Sequence, residues 1–395
     1  MFSILPLKGS IENIDGFFCD GVSAGLKSKN KLDLGFIYSD TPCLVEAIFT
    51  RNTFQAAPLK HFQKYPKDFK TNFILINSKN ANALSGQKGI DDIDYILSNL
   101  SKKFALQNPC MSSTGIIAKP LEKDKILSAA KNFDLSQKNA KNLSGAILTT
   151  DSFAKISSYE VILKDKTSFK ICACAKGAGM INPCLATMLC FIVTDANIPK
   201  QDMKEALDFG AKTTFNAISV DGDTSTNDSI LLLSNQKSKA YEKQAFKEAL
   251  RLLMQDLSLM IIKDAEGGKK VVSFEIKEAK DFEQAQKVAK DLANSLLVKT
   301  ALFGEDPNFG RIASTIGASG VACDETKLSI SYNDIFVYKK GEILLDDELE
   351  LVLAKIMKKD SYKITCYLGM GEAFFTSFAC DLGYDYVKIN ADYRT

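Results

Sequence analysis

Nine residues near the middle of the chain, TMLCFIVTD at 187–195, constrain the fold more than any other stretch. The run is apolar, rich in β-formers and short, so it reads as a strand buried on both faces rather than as a helix. A strand without a polar face requires packed layers on either side of its sheet. SILLLS at 229–234 makes the same demand. The first position of the earlier run is Thr187, directly after Ala186. A buried hydroxyl with no task ordinarily satisfies itself on a nearby carbonyl.

Short β-type runs (LDLGFIYSD, CLVEAIFT, FILINS, GAILTTD, SFKICACAK, VVSFEI) alternate with helical stretches such as GIDDIDYILSNLSKKFAL, LEKDKILSAAKNF and AFKEALRLLMQDLSLMII. In the last of these, apolar residues recur at three- and four-residue intervals. A helix is expected from Gln201 and another from Asp281 to about Val298. LSISYNDIFVYKK and YKITCYLGMG read as hairpin-forming strands. The terminal INADYRT is short and polar, and no element is expected there. No internal repeat is present. The pattern implies an α/β (α+β) fold of layered mixed sheets covered by helices, with 395 residues enough for two sub-domains with substantial cores.

Composition removes several function classes. Lys+Arg at 50 nearly balances Asp+Glu at 48, so the basic footprint of a nucleic-acid binder is missing. MFSILPLKGS breaks at Pro6 and turns polar, and no apolar stretch approaches the ~18 residues of a membrane helix, so a cytoplasmic protein with no membrane partner is expected. Ten cysteines at irregular spacings, without a CxxC pair, read as reduced and mostly buried thiols; Cys172 and Cys174 in ICACAK point the same way on a strand. The chain has one histidine, His61, in the lysine-rich LKHFQKYPKDFK, which has the look of a surface segment. Histidine-based catalysis and imidazole metal sites are discarded on that count, and no metal is expected.

Several motifs have both a structural and a chemical reading. Gly177-Ala178-Gly179 fits no phosphate-binding fingerprint and reads as a tight turn. DGDTSTND lacks the ligand pattern of a calcium loop and reads as an Asx/ST-turn with a helix cap. GEDPNFGR is turn chemistry, with Glu305 as a weak functional candidate. MSSTGIIA puts Ser112, Ser113 and Thr114 before Gly115 on an otherwise apolar segment, where a hydroxyl and a backbone N–H can point the same way and bind an oxyanion. ILTTDSF is expected to end a strand at Thr149, Thr150 and Asp151. In KDAEGGKK, Glu266 falls at the C-terminal end of a long helix, against the helix dipole, and an unfavourable charge there invites a functional explanation.

Taken together, GFFCDGVSAGLK, FTRNTFQAAPLK, SSTGIIA, AILTTDSFAK, KGAGMINPCLATMLCFIVTDANI, DGDTSTND, EGGKK, TALFGEDPNFGRI and DYVKINADYRT resemble the ornithine acetyltransferase family, the bifunctional glutamate/ornithine N-acetyltransferases of arginine biosynthesis. The resemblance runs the length of the chain. It implies a precursor that cuts itself between Ala186 and Thr187, leaving an α segment (1–186) and a β segment (187–395) that stay associated and pair into a heterotetramer. It further implies Thr187 as nucleophile of an N-terminal-threonine architecture, with Thr114 and Gly115 as oxyanion hole. Thr150, Lys176, Thr187, Glu266, Asn390 and Thr395 become substrate-binding positions. N-acetylornithine and glutamate are the implied substrates, with no bound cofactor and with acetyl-CoA as a possible co-substrate. The family's usual approach to the cleaved bond and its E-G-A-T-K string are altered here, at Cys184-Leu185 and at Gly268-Lys269. A self-processed aminopeptidase or amidase that gives its acyl group to water is the alternative.

The implied cleavage also meets a chemical need. A threonine hydroxyl requires a base to attack a carbonyl, and histidine is not on offer. Cutting before Thr187 frees an α-amine with a reference pKa of ~7.7–8.0, which is partly neutral at cytosolic pH and can take the hydroxyl proton.

Overall fold

The computed structural model describes residues 2–182 and 188–392; Ala186, Thr187 and Thr395 lie outside the described residues. Among the described residues, sixteen strands run in chain order. They are β1 (Ser3–Pro6), β2 (Phe17–Val22), β3 (Leu34–Phe49), β4 (Lys70–Asn77), β5 (Cys110–Ser113), β6 (Lys155–Ile162), β7 (Ser168–Lys176) and β8 (Leu189–Thr194). After these come β9 (Ile218–Ser219), β10 (Ser229–Ser234), β11 (Val271–Ala279), β12 (Ser329–Tyr332), β13 (Ile335–Lys339), β14 (Glu342–Ile343), β15 (Ser361–Tyr367) and β16 (Ala373–Cys380).

They form two mixed sheets. One has the order β1-β6-β7-β8-β10-β3-β4-β5, with β2 also paired to β3; the other runs β14-β13-β12-β15-β11-β16-β9. β8 pairs parallel with β10 and antiparallel with β7, and both sit mid-sheet. Strands from either side of residues 186 and 187 are therefore hydrogen-bonded neighbours in one sheet.

The two-faced burial expected of TMLCFIVTD is present. Cys190 and Ile192 face a core shared with Leu250, Leu253 and Leu257 of the helix Lys243–Lys263. Leu189, Phe191 and Val193 face the opposite core, with Phe17, Ile37 and Leu143. The period-2 alternation of a strand sends successive apolar side chains to different layers, so a continuous apolar run fills both. Cys172 and Cys174 share one of these cores, as their spacing required. The second sheet has its own core, built with Val288 and Leu292 of the helix Phe282–Asn294 and with Leu353 and Met357 of the helix Asp347–Met357. Among the described residues, no helix is long and apolar enough to cross a membrane.

Five local expectations are corrected. LDLGFIYSD and CLVEAIFT are one strand, β3, whose register against β4 shifts between Tyr38 and Cys43. GAILTTD is not a strand: Asn139 caps Asn142 N–H to start the helix Ala140–Ala146, and Thr149–Asp151 follow it in irregular backbone. A helical period places Ala140, Leu143 and Ala146 in the core, a pattern that the apolar GAIL leaves ambiguous. The helix expected from Asp281 to Val298 is two, because Ser295 caps a new helix, Leu296–Phe303, through Val298 N–H. INAD belongs to a terminal helix, Tyr384–Asp392, despite lacking any buried residue. DGDTSTND caps no helix and leads into β10.

His61 is likewise not a surface residue. It lies on the helix Ala57–Phe62 at 5% exposure, with Nε2 3.1 Å from Asp94 Oδ1. Burial lowers its pKa against the pull of Asp94. The Lys-rich flanks misled because the other helix face, with Ala57, Pro58 and Leu59, is the one that packs.

Candidate active site

A cavity of about 340 Å³ opens where the ends of several elements converge. Its first wall begins at the end of β5. Thr114, one residue beyond that strand, donates its N–H to Asn77 O (3.0 Å) and is 4% exposed. Gly115 follows at φ +129, and a Cβ there would sit 2.3 Å from the Lys79 carbonyl carbon. Only glycine lets the two backbones approach so closely. Asn227 fastens this wall by donating to Ser113 O (2.9 Å) and Ala81 O (2.6 Å).

The second wall is the end of β7. Lys176 is its last residue, 2% exposed, with Nζ 3.9 Å from Asp151 Oδ2. The other oxygen of Asp151 accepts from Lys155 Nζ (2.8 Å) and from Gly177 N–H (2.6 Å). Lys155, itself fully buried, reaches Asp264 Oδ2 at 2.5 Å, and Ser152 also bonds Asp264. Two lysines and two aspartates thus alternate with no net charge. Burial alone would raise the Asp151 pKa, but the ammonium groups of Lys176 and Lys155 hold it well below the usual carboxylate range. Thr149 and Thr150, just upstream of Asp151, line the cavity as well.

Glu266 forms the third wall. The helix that precedes it ends at Lys263, so Glu266 lies in the following turn, where its N–H donates to Ala178 O (2.9 Å). Its carboxylate lies against Gly179: a Cβ there would stand 2.3 Å from Oε2. Asn390 Nδ2, on the terminal helix, donates to the same oxygen at 2.9 Å. Gly267, at φ +71, lets that helix close in, since a Cβ would meet Tyr386 N at 2.4 Å. The placement of Glu266 beyond the helix end therefore has its explanation in the cavity.

Thr114, Gly115, Thr150, Lys176, Glu266 and Asn390, named from the sequence over an interval of 277 positions (114 to 390, inclusive), all line this one cavity. Thr187, Ala186 and Thr395 lie outside the described residues. Glu305 does not join the site; it pairs with Lys270 at 3.0 Å. His61 does not line the cavity either.

Sequence reasoning missed the part played by DGDTSTND. Asp221 accepts the N–H groups of Met180 (2.6 Å) and Ile181 (2.9 Å), and Tyr386 Oη lies 3.3 Å from it, so it ties the loop after β7 to the terminal helix. Asp228 accepts the N–H of Met188, the residue after Thr187, at 3.0 Å. It is 1% exposed, burial pushes its pKa well above the ordinary value, and its Oδ2 makes no hydrogen bond among the described residues. Asp228 thus holds the chain where it enters β8. The legible signal was the density of acids and small hydroxyls just before an apolar strand, which turn chemistry alone seemed to satisfy.

Chemically the cavity offers hydroxyl and backbone donors on one side, a buried ammonium on a second and a carboxylate on a third. That combination suits a zwitterionic amino acid better than an apolar ligand.

Residues 18–395 match the model of the ArgJ family. The chain is 52% identical, over 396 residues and 100% of both chains, to a Wolinella succinogenes protein named "Arginine biosynthesis bifunctional protein ArgJ". A protein of the same name from Oceanobacillus iheyensis is 38% identical over 400 residues, 98% of this chain and 97% of its own. A crystal structure of an arginine biosynthesis bifunctional protein from Bacillus halodurans aligns at 36% identity over 50% of this chain and 96% of that one, with a TM-score of 0.47. With a family match over nearly its whole length and full-length relatives at this identity, the chain belongs to the ArgJ family.

Proposed function

We propose that the protein moves the acetyl group of N-acetylornithine to glutamate in arginine biosynthesis, by a ping-pong route through acetyl-Thr187. One observation carries the reading: six residues scattered in sequence line one cavity with the chemistry an acetylated amino acid requires.

Processing comes first. Thr187 Oγ attacks the Ala186 carbonyl, the C–N bond gives way to an ester, and water hydrolyses that ester to leave the Ala186 carboxylate and a free Thr187 amine. That amine then takes the Oγ proton as Oγ attacks the acetyl carbonyl of N-acetylornithine. Thr114 and the Gly115 N–H stabilise the oxyanion as it forms. The amide C–N bond breaks, the proton passes to the departing ornithine amine, and the α-amine of glutamate attacks acetyl-Thr187 in the reverse sequence. An amide is exchanged for an amide, so the overall free-energy change is small. Lys176 pairs with a substrate carboxylate and Glu266 with the ornithine ammonium, while Thr150, Asn390 and Thr395 bind polar groups. Acetyl-CoA serves as a second donor to the same threonine, releasing its thiol.

The 1–186 and 187–395 segments stay together after cleavage, a reading supported by β8 and β10 lying between β7 and β3 in one sheet. The assembly is a heterotetramer of two of each, in the cytoplasm.

Mass spectrometry and a denaturing gel test the scheme directly. Active protein should run as two fragments, and Thr187→Ala should abolish both cleavage and transfer while leaving a 43.4 kDa chain. A fully active uncut chain contradicts the base, and release of free acetate in place of acetylglutamate would assign hydrolysis instead.

A further inference from the structure

Among the described residues, three carboxylates line the cavity, those of Asp221, Asp223 and Glu266, against one ammonium, that of Lys176. Lys176 already faces Asp151 at 3.9 Å. Asp221 uses both oxygens within the fold: Oδ1 accepts the N–H groups of Ile181 (2.9 Å) and Asp223 (3.2 Å), and Oδ2 accepts Met180 N–H (2.6 Å) and the Tyr386 hydroxyl (3.3 Å). Glu266 accepts from Asn390. Asp223 differs from both, because its carboxylate makes no hydrogen bond or ion pair among the described residues.

The backbone that carries this unpaired charge is fixed on both sides. Before it, Asn182 Nδ2 donates to Gly222 O (2.6 Å). After it, Asn52 Nδ2 donates to Thr224 O (3.0 Å) and Thr50 Oγ1 to Ser225 O (2.8 Å). Asp223 itself is exposed and lines the cavity, so its carboxylate stands where the cavity meets water. Burial raises the Tyr386 pKa most, and the charges of Asp221, Asp223 and Glu266 add to it, so all three carboxylates lie around one phenol. Asp223 and Glu266 are therefore on the same side of the cavity, across Tyr386 from each other in charge but not bonded to it.

The two amino acids of the proposed reaction share an α-carboxylate and a reacting α-nitrogen. They differ in the sign of the charge at the far end, an ammonium in N-acetylornithine and a carboxylate in glutamate. Anchored at Lys176 and at the oxyanion hole, both bring that end to the same part of the cavity, where charge alone separates them. We infer that Asp223 is a specificity-determining residue for acetyl transfer, attracting the side-chain ammonium of N-acetylornithine and opposing the side-chain carboxylate of glutamate. This rests on the acyl-transfer reading and adds what sorts donor from acceptor in a cavity that must admit both. Because Asp223 is exposed, water and salt weaken its field, and the effect on each substrate is about threefold.

In a ping-pong reaction kcat/KM for each substrate reports its own half-reaction, so initial rates of acetylglutamate formation read the two effects separately. Asp223→Asn should lower kcat/KM for N-acetylornithine and raise it for glutamate, each about threefold, so that their ratio moves about tenfold. Asp223→Lys should carry the ratio further in the same direction, and added salt should draw the ratios of wild type and variants together. Asp223→Glu keeps the charge and should restore the wild-type ratio. Any misfolded fraction scales both values equally, so the ratio still reports the folded enzyme. A ratio within twofold of wild type in both Asp223→Asn and Asp223→Lys overturns the assignment, as does a change that salt leaves intact or one that Asp223→Glu shows equally. If wild type fails to pass acetyl from N-acetylornithine to glutamate, the acyl-transfer reading itself fails, an outcome distinct from all of these.

Discussion

Gly179→Ala tests how tightly the cavity holds Glu266. The added Cβ would lie 2.3 Å from Oε2, 2.4 Å from Cδ and 2.6 Å from Oε1, whereas ordinary contact begins at 3.4 Å. The carboxylate must retreat by about 1 Å, which breaks its 2.9 Å bond from Asn390. A lost charge-assisted hydrogen bond costs about 2 kcal/mol, equivalent to about thirtyfold in kcat/KM for N-acetylornithine. The fold should tolerate the change, because Gly179 is not in the left-handed region and an alanine lowers the entropy of the unfolded chain. Initial rates of acetylglutamate formation, with thermal melts alongside, measure both effects. Glu266→Ala should raise the KM by itself, and adding Gly179→Ala to it should cost nothing more, since the clashing atoms are gone. A kcat/KM for Gly179→Ala within twofold of wild type, or a second tenfold loss in the double variant, would refute the reasoning.

Thr114→Ala should lower kcat about 10²–10³-fold with little change in Tm if its hydroxyl stabilises the oxyanion, as steady-state kinetics would show. Asp151→Asn leaves Lys176 and Lys155 facing a neutral group; breaking a buried pair in this way costs about 3–5 kcal/mol, visible in urea denaturation at pH 7. The pH dependence has a definite sign. The folded-state pKa of Asp151 is depressed, so its stabilisation is complete above the unfolded value of about 3.9 and fades as pH falls below it toward the folded pKa. Wild type should lose stability more steeply than Asp151→Asn below about pH 4, and parallel curves would show that Asp151 is not the group responsible.

A hydroxyl beside Gly115 in an apolar segment and Glu266 at a helix end stood out from their surroundings in the sequence, whereas Lys176 and Asn390 were named only through the resemblance to the ornithine acetyltransferase family. Asp221 and Asp228 were not legible as site residues. In sequence they are turn formers; what distinguishes them is the specific N–H groups they accept, from Met180, Ile181 and Met188, and those lie 40 or 41 positions away.

By itself the sequence settled the two central strands in 187–195 and 229–234 and the layered α/β class, since a continuous apolar run of strand length has to be buried on both sides. Composition left a single histidine, His61, and the structure places it outside the cavity. Tertiary structure alone decided that His61 is buried, that Thr149–Asp151 follow a helix, and that the terminal helix closes the cavity over Glu266. Those outcomes depend on which partner each segment meets, and burial, capping and charge pairing between distant residues are set only when the two sheets and their helices come together.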